Sequence, residues 1–205
     1  MLDEVLKFFV LFFVVVEPIT LVPLFAAMTE GEDEAFRRKM ALKAVCIAGL
    51  VLGLFAVGGA AFLKVMGIGI DAFRIAGGIM LFLIALEMVF ARESGTRTTP
   101  EEKVEGRQRK DVSVFPLAFP FIAGPGALAI VLLTFGAARD DLALSAGLFG
   151  AVIVVLAITY LLMRLTPLVM RVMGVTGGNV INRLSGVVLA ALAVQFIITG
   201  ITNVF

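Results

Sequence analysis

Six times along this chain an apolar stretch runs long enough to cross the roughly 30 Å hydrocarbon layer of a bilayer, which takes about 20 helical residues. The stretches fall near residues 4–27, 41–63, 73–90, 112–138, 142–165 and 182–204. Backbone in lipid must satisfy its own N–H and C=O groups, so each stretch is expected as a helix. Together they take up most of the 205 residues, of which 60% are hydrophobic and 16% charged, and leave no soluble domain of any size. The expected fold class is all-α integral membrane, a single membrane domain with the lipid bilayer as its main partner.

Composition excludes several kinds of activity. A formal net charge of +1 supplies no uncompensated basic face for nucleic acid. There is no His, and the single Cys46 lies inside an apolar run, so neither a disulfide framework nor a zinc or iron site can be assembled from the usual ligands. No metal and no cofactor is expected. With no base evident beside any Ser or Thr, an intramembrane enzyme is the weakest functional reading. The first apolar stretch starts with Asp3 and Glu4, carries only Lys7, contains Glu17 and has no small-residue cleavage pattern, so it reads as a retained helix and not a signal peptide.

Loops placed alternately on two sides of a membrane divide the 17 Lys and Arg residues unequally, four on one side and thirteen on the other. The rich side holds Arg37, Arg38, Lys39 and the charged stretch from Arg92 to Asp111. Positively charged loops stay in the cytoplasm. Both termini are therefore expected outside the cytoplasmic membrane of a prokaryote, with residues 93–111 as a cytoplasmic linker loop.

Sliding the chain against itself by 107 residues aligns Pro18 with Pro125 and Val65-Met66-Gly67 with Val172-Met173-Gly174. After a two-residue insertion, Arg74-Ile-Ala-Gly77 aligns with Arg183-Leu-Ser-Gly186. The order and near-constant offset point to a duplication, with repeats at 1–92 and 112–205. Three crossings per half turn the second half upside down, giving the inverted three-helix repeats found in secondary transporters.

Helices 1 and 4 are expected to be interrupted near mid-membrane. Pro18 and Pro125 fall near their centres, and a proline lacks the amide hydrogen and displaces the residue before it from helical geometry. Glu17 and Gly124 are thus the break points, with second half-helices starting at Pro18 and Pro125. Unpaired N–H groups at such starts favour an anion. Irregular backbone survives at membrane depth where protein or a watery cavity satisfies it, so the two breaks are expected to line one polar cavity. Gly126 would let the backbone approach a solute there.

The stretches EPITLVP, AGPGA, RIAGGIMLFLIALEM and RLSGVVLAALAVQFIITGI resemble the MarC family of inner-membrane proteins over nearly the whole chain. The family usually has Asn or Asp before the helix 1 proline and Gly two residues after it; Glu17 and Thr20 stand in those places. The resemblance implies a transporter of small neutral amino acids, of the SnatA type, with a distant relation to LysE-type exporters. Glycine or alanine would be a typical solute.

On this reading a zwitterionic solute is held by Glu17, Pro18, Thr20, Gly124, Pro125 and Gly126. Glu17 is the candidate for coupling to a proton, with sodium as the alternative. Glu87, Thr134 and Gln195 are further polar groups at membrane depth, the first costly if it faced lipid, at about 2.5–3.5 kcal/mol. Arg74 and Arg183 read as interface anchors or ties between repeats. A passive channel, or an exporter of another small solute, is the alternative, and a homo-oligomer is left open.

Overall fold

A computed structural model describes residues 1–90 and 111–204. The linker expected at 93–111 lies outside the described residues, apart from Asp111. Among the described residues eight helical segments follow one another: α1 (Leu2–Val16), α2 (Leu21–Met28), α3 (Glu34–Val65), α4 (Ile70–Phe90), α5 (Ser113–Ile122), α6 (Pro125–Ala137), α7 (Leu142–Arg164) and α8 (Thr166–Val204). No strand occurs among the described residues. Among the described residues five helices are long and apolar enough to cross a membrane, α1 and α2 together making one of them, and α5 with α6 makes six if that bent pair is a single span.

Local chemistry sets the boundaries. Asp33 and Asp141 cap α3 and α7, their carboxylates accepting from the N–H groups of Phe36 and Leu144 at 2.7 and 2.9 Å. The end of α3 closes through Gly67 at φ 69°, with Gly67 N–H on the Lys64 carbonyl and Ile68 N–H on that of Leu63. Two helices run beyond their apolar stretches. α3 starts seven residues early because its first turns are polar but well capped, and α8 starts at Thr166, with Leu165 alone between it and the end of α7. Hydropathy marks the part of a helix that meets lipid, which is shorter than the part that is helical.

The two segmented runs form the centre and the long helices surround it. Half of the most apolar window of Leu2–Met28 is buried, against 17–33% for α3, α4, α7 and the end of α8. Phe8, Phe12, Val15, Val16, Leu21 and Phe25 pack in one cluster with Leu117, Ile122, Ala127, Ile130 and Phe135 of α5 and α6. Phe135 stands edge-on to Phe8 at 6.1 Å and to Phe149 at 4.6 Å, joining α1, α6 and α7.

α4 and α8 make the most extensive helix pair. A β-carbon built on Gly78 would lie 2.9 Å from the Ala193 carbonyl oxygen, one on Gly186 3.0 Å from that of Ala85, and one on Gly200 3.1 Å from that of Asp71. Position falls along α4 as it rises along α8, so the two run antiparallel. Lipid offers no hydrophobic drive to join helices, and small residues that let backbones touch supply van der Waals contact in its place.

Candidate functional site

The break between α1 and α2 turns on Glu17. Its N–H closes the last turn of α1 on the Phe13 carbonyl at 3.0 Å, and its backbone then swings to φ 53°, ψ 55°. Among the described residues it is the one non-glycine with positive φ. A residue held there stores about 1–3 kcal/mol and persists where its surroundings impose it. The residue is 6% exposed and has an interaction partner. Pro18, also buried, opens a turn through Thr20, and helical bonding resumes with Leu21 N–H on the Glu17 carbonyl at 3.2 Å. The second half-helix thus begins at Leu21 and not at Pro18, because the left-handed Glu17 redirects the chain and a turn is spent before a helix can restart. Pro23 sits in the first turn of α2, where no N–H is needed.

The second break is longer than its sequence equivalent implied. Phe115 and Phe119 are extended, each just ahead of a proline, with cis peptide bonds to Pro116 and Pro120. Wide hydrogen bonds hold the segment, Leu117 N–H to the Val112 carbonyl and Ala123 N–H to that of Ala118, at 3.3 and 2.8 Å. α6 then starts at Pro125, as expected, with Gly124 as its cap residue at φ −71°, ψ 169°, and lies at 57° to α5. A β-carbon on Gly124 would sit 2.3 Å from the Pro120 carbonyl oxygen, so only glycine fits.

The breaks meet through Gly126. A β-carbon there would come 3.2 Å from Val15 Cγ1, two residues ahead of Glu17, and 2.3 Å from Leu81 Cδ2 of α4. A β-carbon on Gly77, also on α4, would lie 2.8 Å from Ala129 Cβ of α6. In this arrangement Gly126 lies in a packed seam between α1, α4 and α6, with Leu81 fully buried over it.

The remaining candidates are dispersed. Thr134 is half-buried and lines a groove of about 710 Å³ with Phe8, Val14, Val188 and Leu192, flanked by Asp3, Glu4 and Lys7. Gln195 is exposed on α8 and donates to Thr199 Oγ1 of its own helix at 3.2 Å. Glu87 is half-buried and has a partner. Arg74 reaches Asp71 at 2.6 Å, and Asp71 also accepts from Asn203 Nδ2 at 3.0 Å, tying the start of α4 to the end of α8. Among the described residues no group of three His, Cys, Asp or Glu side chains is placed to hold a metal ion.

One polar junction, between the first turns of α3 and the residues just ahead of α5, was not anticipated. Asp111 pairs with Lys43 of α3 and accepts the Ser113 N–H at 3.0 Å. The hydrogen bond from Lys43, then that from Ser113, holds its carboxyl down at about 2.

The model of the MarC family integral membrane proteins matches residues 2–205. The chain belongs to the MarC family. A UPF0056 membrane protein of Escherichia coli, YhcE, is 36% identical over 97% of this chain and 92% of its own length. YvbG of Bacillus subtilis, a protein of the same description, is 35% identical over 100% and 97%. MJ1677 of Methanocaldococcus jannaschii is 34% identical over 96% and 97%. No solved structure matches.

Within this MarC chain the sequence reading missed Pro116, Pro120 and the Lys43–Asp111 junction. The doubled Phe-Pro of FPLAFP carried the first signal, since a residue ahead of proline is pushed toward extended geometry. No pattern pairs Lys43 with Asp111, because that contact depends on how α3 lies against α5.

Proposed function

We propose that this protein is a secondary transporter of small neutral amino acids across the cytoplasmic membrane, coupled to protons through Glu17. The observation that carries the reading is the buried, left-handed Glu17 at a helix break that packs, by way of Val15 and Gly126, against a second break. A carboxyl group enclosed by protein at membrane depth is expensive and marks ion or solute pathways. The start of α6 lacks a side-chain cap and offers N–H groups to a solute carboxylate. Glu17 and freed carbonyls take the ammonium group or the coupling proton. Thr20, Gly124 and Pro125 complete the lining, and the seam over Gly126 opens for a solute to enter.

An inverted repeat accounts for the element order. A segmented run, a helix capped by Asp and a third helix occur twice: α1–α2, α3, α4, then α5–α6, α7, α8. An inversion axis in the membrane plane would set α4 antiparallel to α8, as they pack. Interrupted runs at the centre of two such halves are the arrangement in which transporters expose one site alternately to each side. The charge distribution supports cytoplasmic placement of the α2–α3 turn and outward termini.

The test is uptake of radiolabelled glycine, alanine and serine by proteoliposomes under imposed proton or sodium gradients. Saturable uptake with counterflow, driven by the proton gradient, is expected. Glu17→Gln keeps shape and removes titration, so it should abolish accumulation while solute exchange continues in part. Accumulation by this variant with unchanged pH dependence would remove Glu17 from coupling; unsaturable flux without counterflow would replace the transporter with a channel.

A further inference from the structure

A second polar site lies on the basic side of the molecule, away from the breaks. The first turns of α3 and the junction of α7 with α8 enclose a pocket of about 350 Å³, lined by Glu34, Arg37, Arg38, Arg164, Leu165, Pro167 and Leu168. Three arginines and one glutamate are among its lining residues. Arg37 spends its Nε on the Thr29 carbonyl at 3.3 Å, which aims its remaining donors. Among the described residues Arg38 and Arg164 make no ion pair or hydrogen bond. Uncompensated arginines drawn from two separate helices suit a phosphate group, whose oxygens match the planar fork of donors.

The rest of the pocket says which kind of phosphate. Leu165 and Leu168 are 46% and 57% exposed, so a free inorganic anion would leave an apolar wall uncovered. α7 has 23 residues and is about 35 Å long, so Arg164 at its end stands at the edge of the hydrocarbon layer. We infer that this pocket binds the headgroup of an anionic phospholipid, with the arginines on its phosphate and Leu165, Pro167 and Leu168 against the start of its acyl chains. Basic pockets between membrane helices on the cytoplasmic side bind such lipids by the same chemistry.

The test uses the purified full-length chain in neutral detergent and native mass spectrometry with added dioleoyl phosphatidylglycerol or phosphatidylcholine. Phosphatidylglycerol should be retained and phosphatidylcholine lost. Each of Arg37→Gln, Arg38→Gln and Arg164→Gln should weaken retention about five-fold, the equivalent of about 1 kcal/mol per basic residue at an anionic surface. The triple Gln variant should lose it, while Arg139→Gln, in a different turn, should leave it intact. Each variant is checked for an unchanged elution volume; if the triple Gln variant misfolds, the triple Lys variant, which keeps charge, must still prefer phosphatidylglycerol. Equal retention of the two lipids, or retention by a folded triple Gln variant, overturns the site. Displacement of phosphatidylglycerol by inorganic phosphate would overturn the lipid assignment in favour of a soluble anion.

Discussion

Gly126→Ala tests the seam that joins the two breaks. The added methyl would fall 2.3 Å from Leu81 Cδ2 and 3.2 Å from Val15 Cγ1, and both neighbours are buried, so neither can swing into open space. Overpacking a filled core costs about 1–3 kcal/mol. The lower half of that range applies, because the nearest atom is the terminal methyl of a flexible side chain and not backbone, so a small rotation of Leu81 relieves part of the clash. Leu81→Ala alone should cost about 2–5 kcal/mol through the void it leaves. In the double variant the new methyl occupies part of that void, so the two changes should sum to less than their separate effects, by about 1–3 kcal/mol. Reversible unfolding in mixed micelles, followed by far-ultraviolet circular dichroism, measures all four corners of the cycle. Additivity within about 0.5 kcal/mol would mean that Gly126 and Leu81 do not touch and that the seam is wrongly placed.

Asp111 sets a stability change with pH. Its carboxyl is near 2 in the folded chain against 3.8 unfolded, so its stabilisation is complete above about pH 4 and is lost as pH falls toward 2. Side-chain exposures of 44% and 42% for Lys43 and Asp111 limit the gain to about 1 kcal/mol, and Asp111→Asn should flatten melting temperature across that window. Gly124→Ala should be more damaging than Gly126→Ala, since its methyl would meet a backbone carbonyl that cannot rotate away; expression and melting of the purified variant check this. Cysteines placed at Glu32 and Asp140 in a Cys46→Ala background report topology. An impermeant maleimide should label Asp140→Cys in intact cells and reach Glu32→Cys only after lysis, and the reverse pattern would refute the orientation.

The crossings were legible because lipid imposes a composition on any helix within it, whatever that helix packs against. Pro18 and Pro125 pointed to where regular helix would be disturbed, since their missing amide is a covalent fact, but α2 starts at Leu21 and the irregular backbone ahead of α6 begins at Phe115. The left-handed backbone at Glu17 was not legible, because nothing in a glutamate asks for positive φ and only its surroundings hold it there. The extra turns of α8 escaped for the opposite reason. Residues 174–179, GVTGGN, look like a loop by composition, and their helical geometry overrides that weak propensity. Gly126 could be read as a place of close approach, but its neighbour, a leucine in place of a solute, is a matter of tertiary register. Arg37, Arg38 and Arg164 counted only as charge on one side until folding drew them around one pocket.

The contact between α4 and α8 also constrains the order of assembly. Its partners come from opposite halves of the chain, Gly78 with Ala193 and Gly186 with Ala85. During synthesis α4 enters the bilayer long before α8 exists, and its row of small residues must wait against lipid tails. α6 reaches α4 first, at Gly77 and Ala129, but the backbone that Gly78 meets is that of α8, so the final helix to be inserted is the one that completes the pair. A chain released before α8 is complete should therefore be membrane-bound yet loosely assembled, and open to quality-control proteolysis.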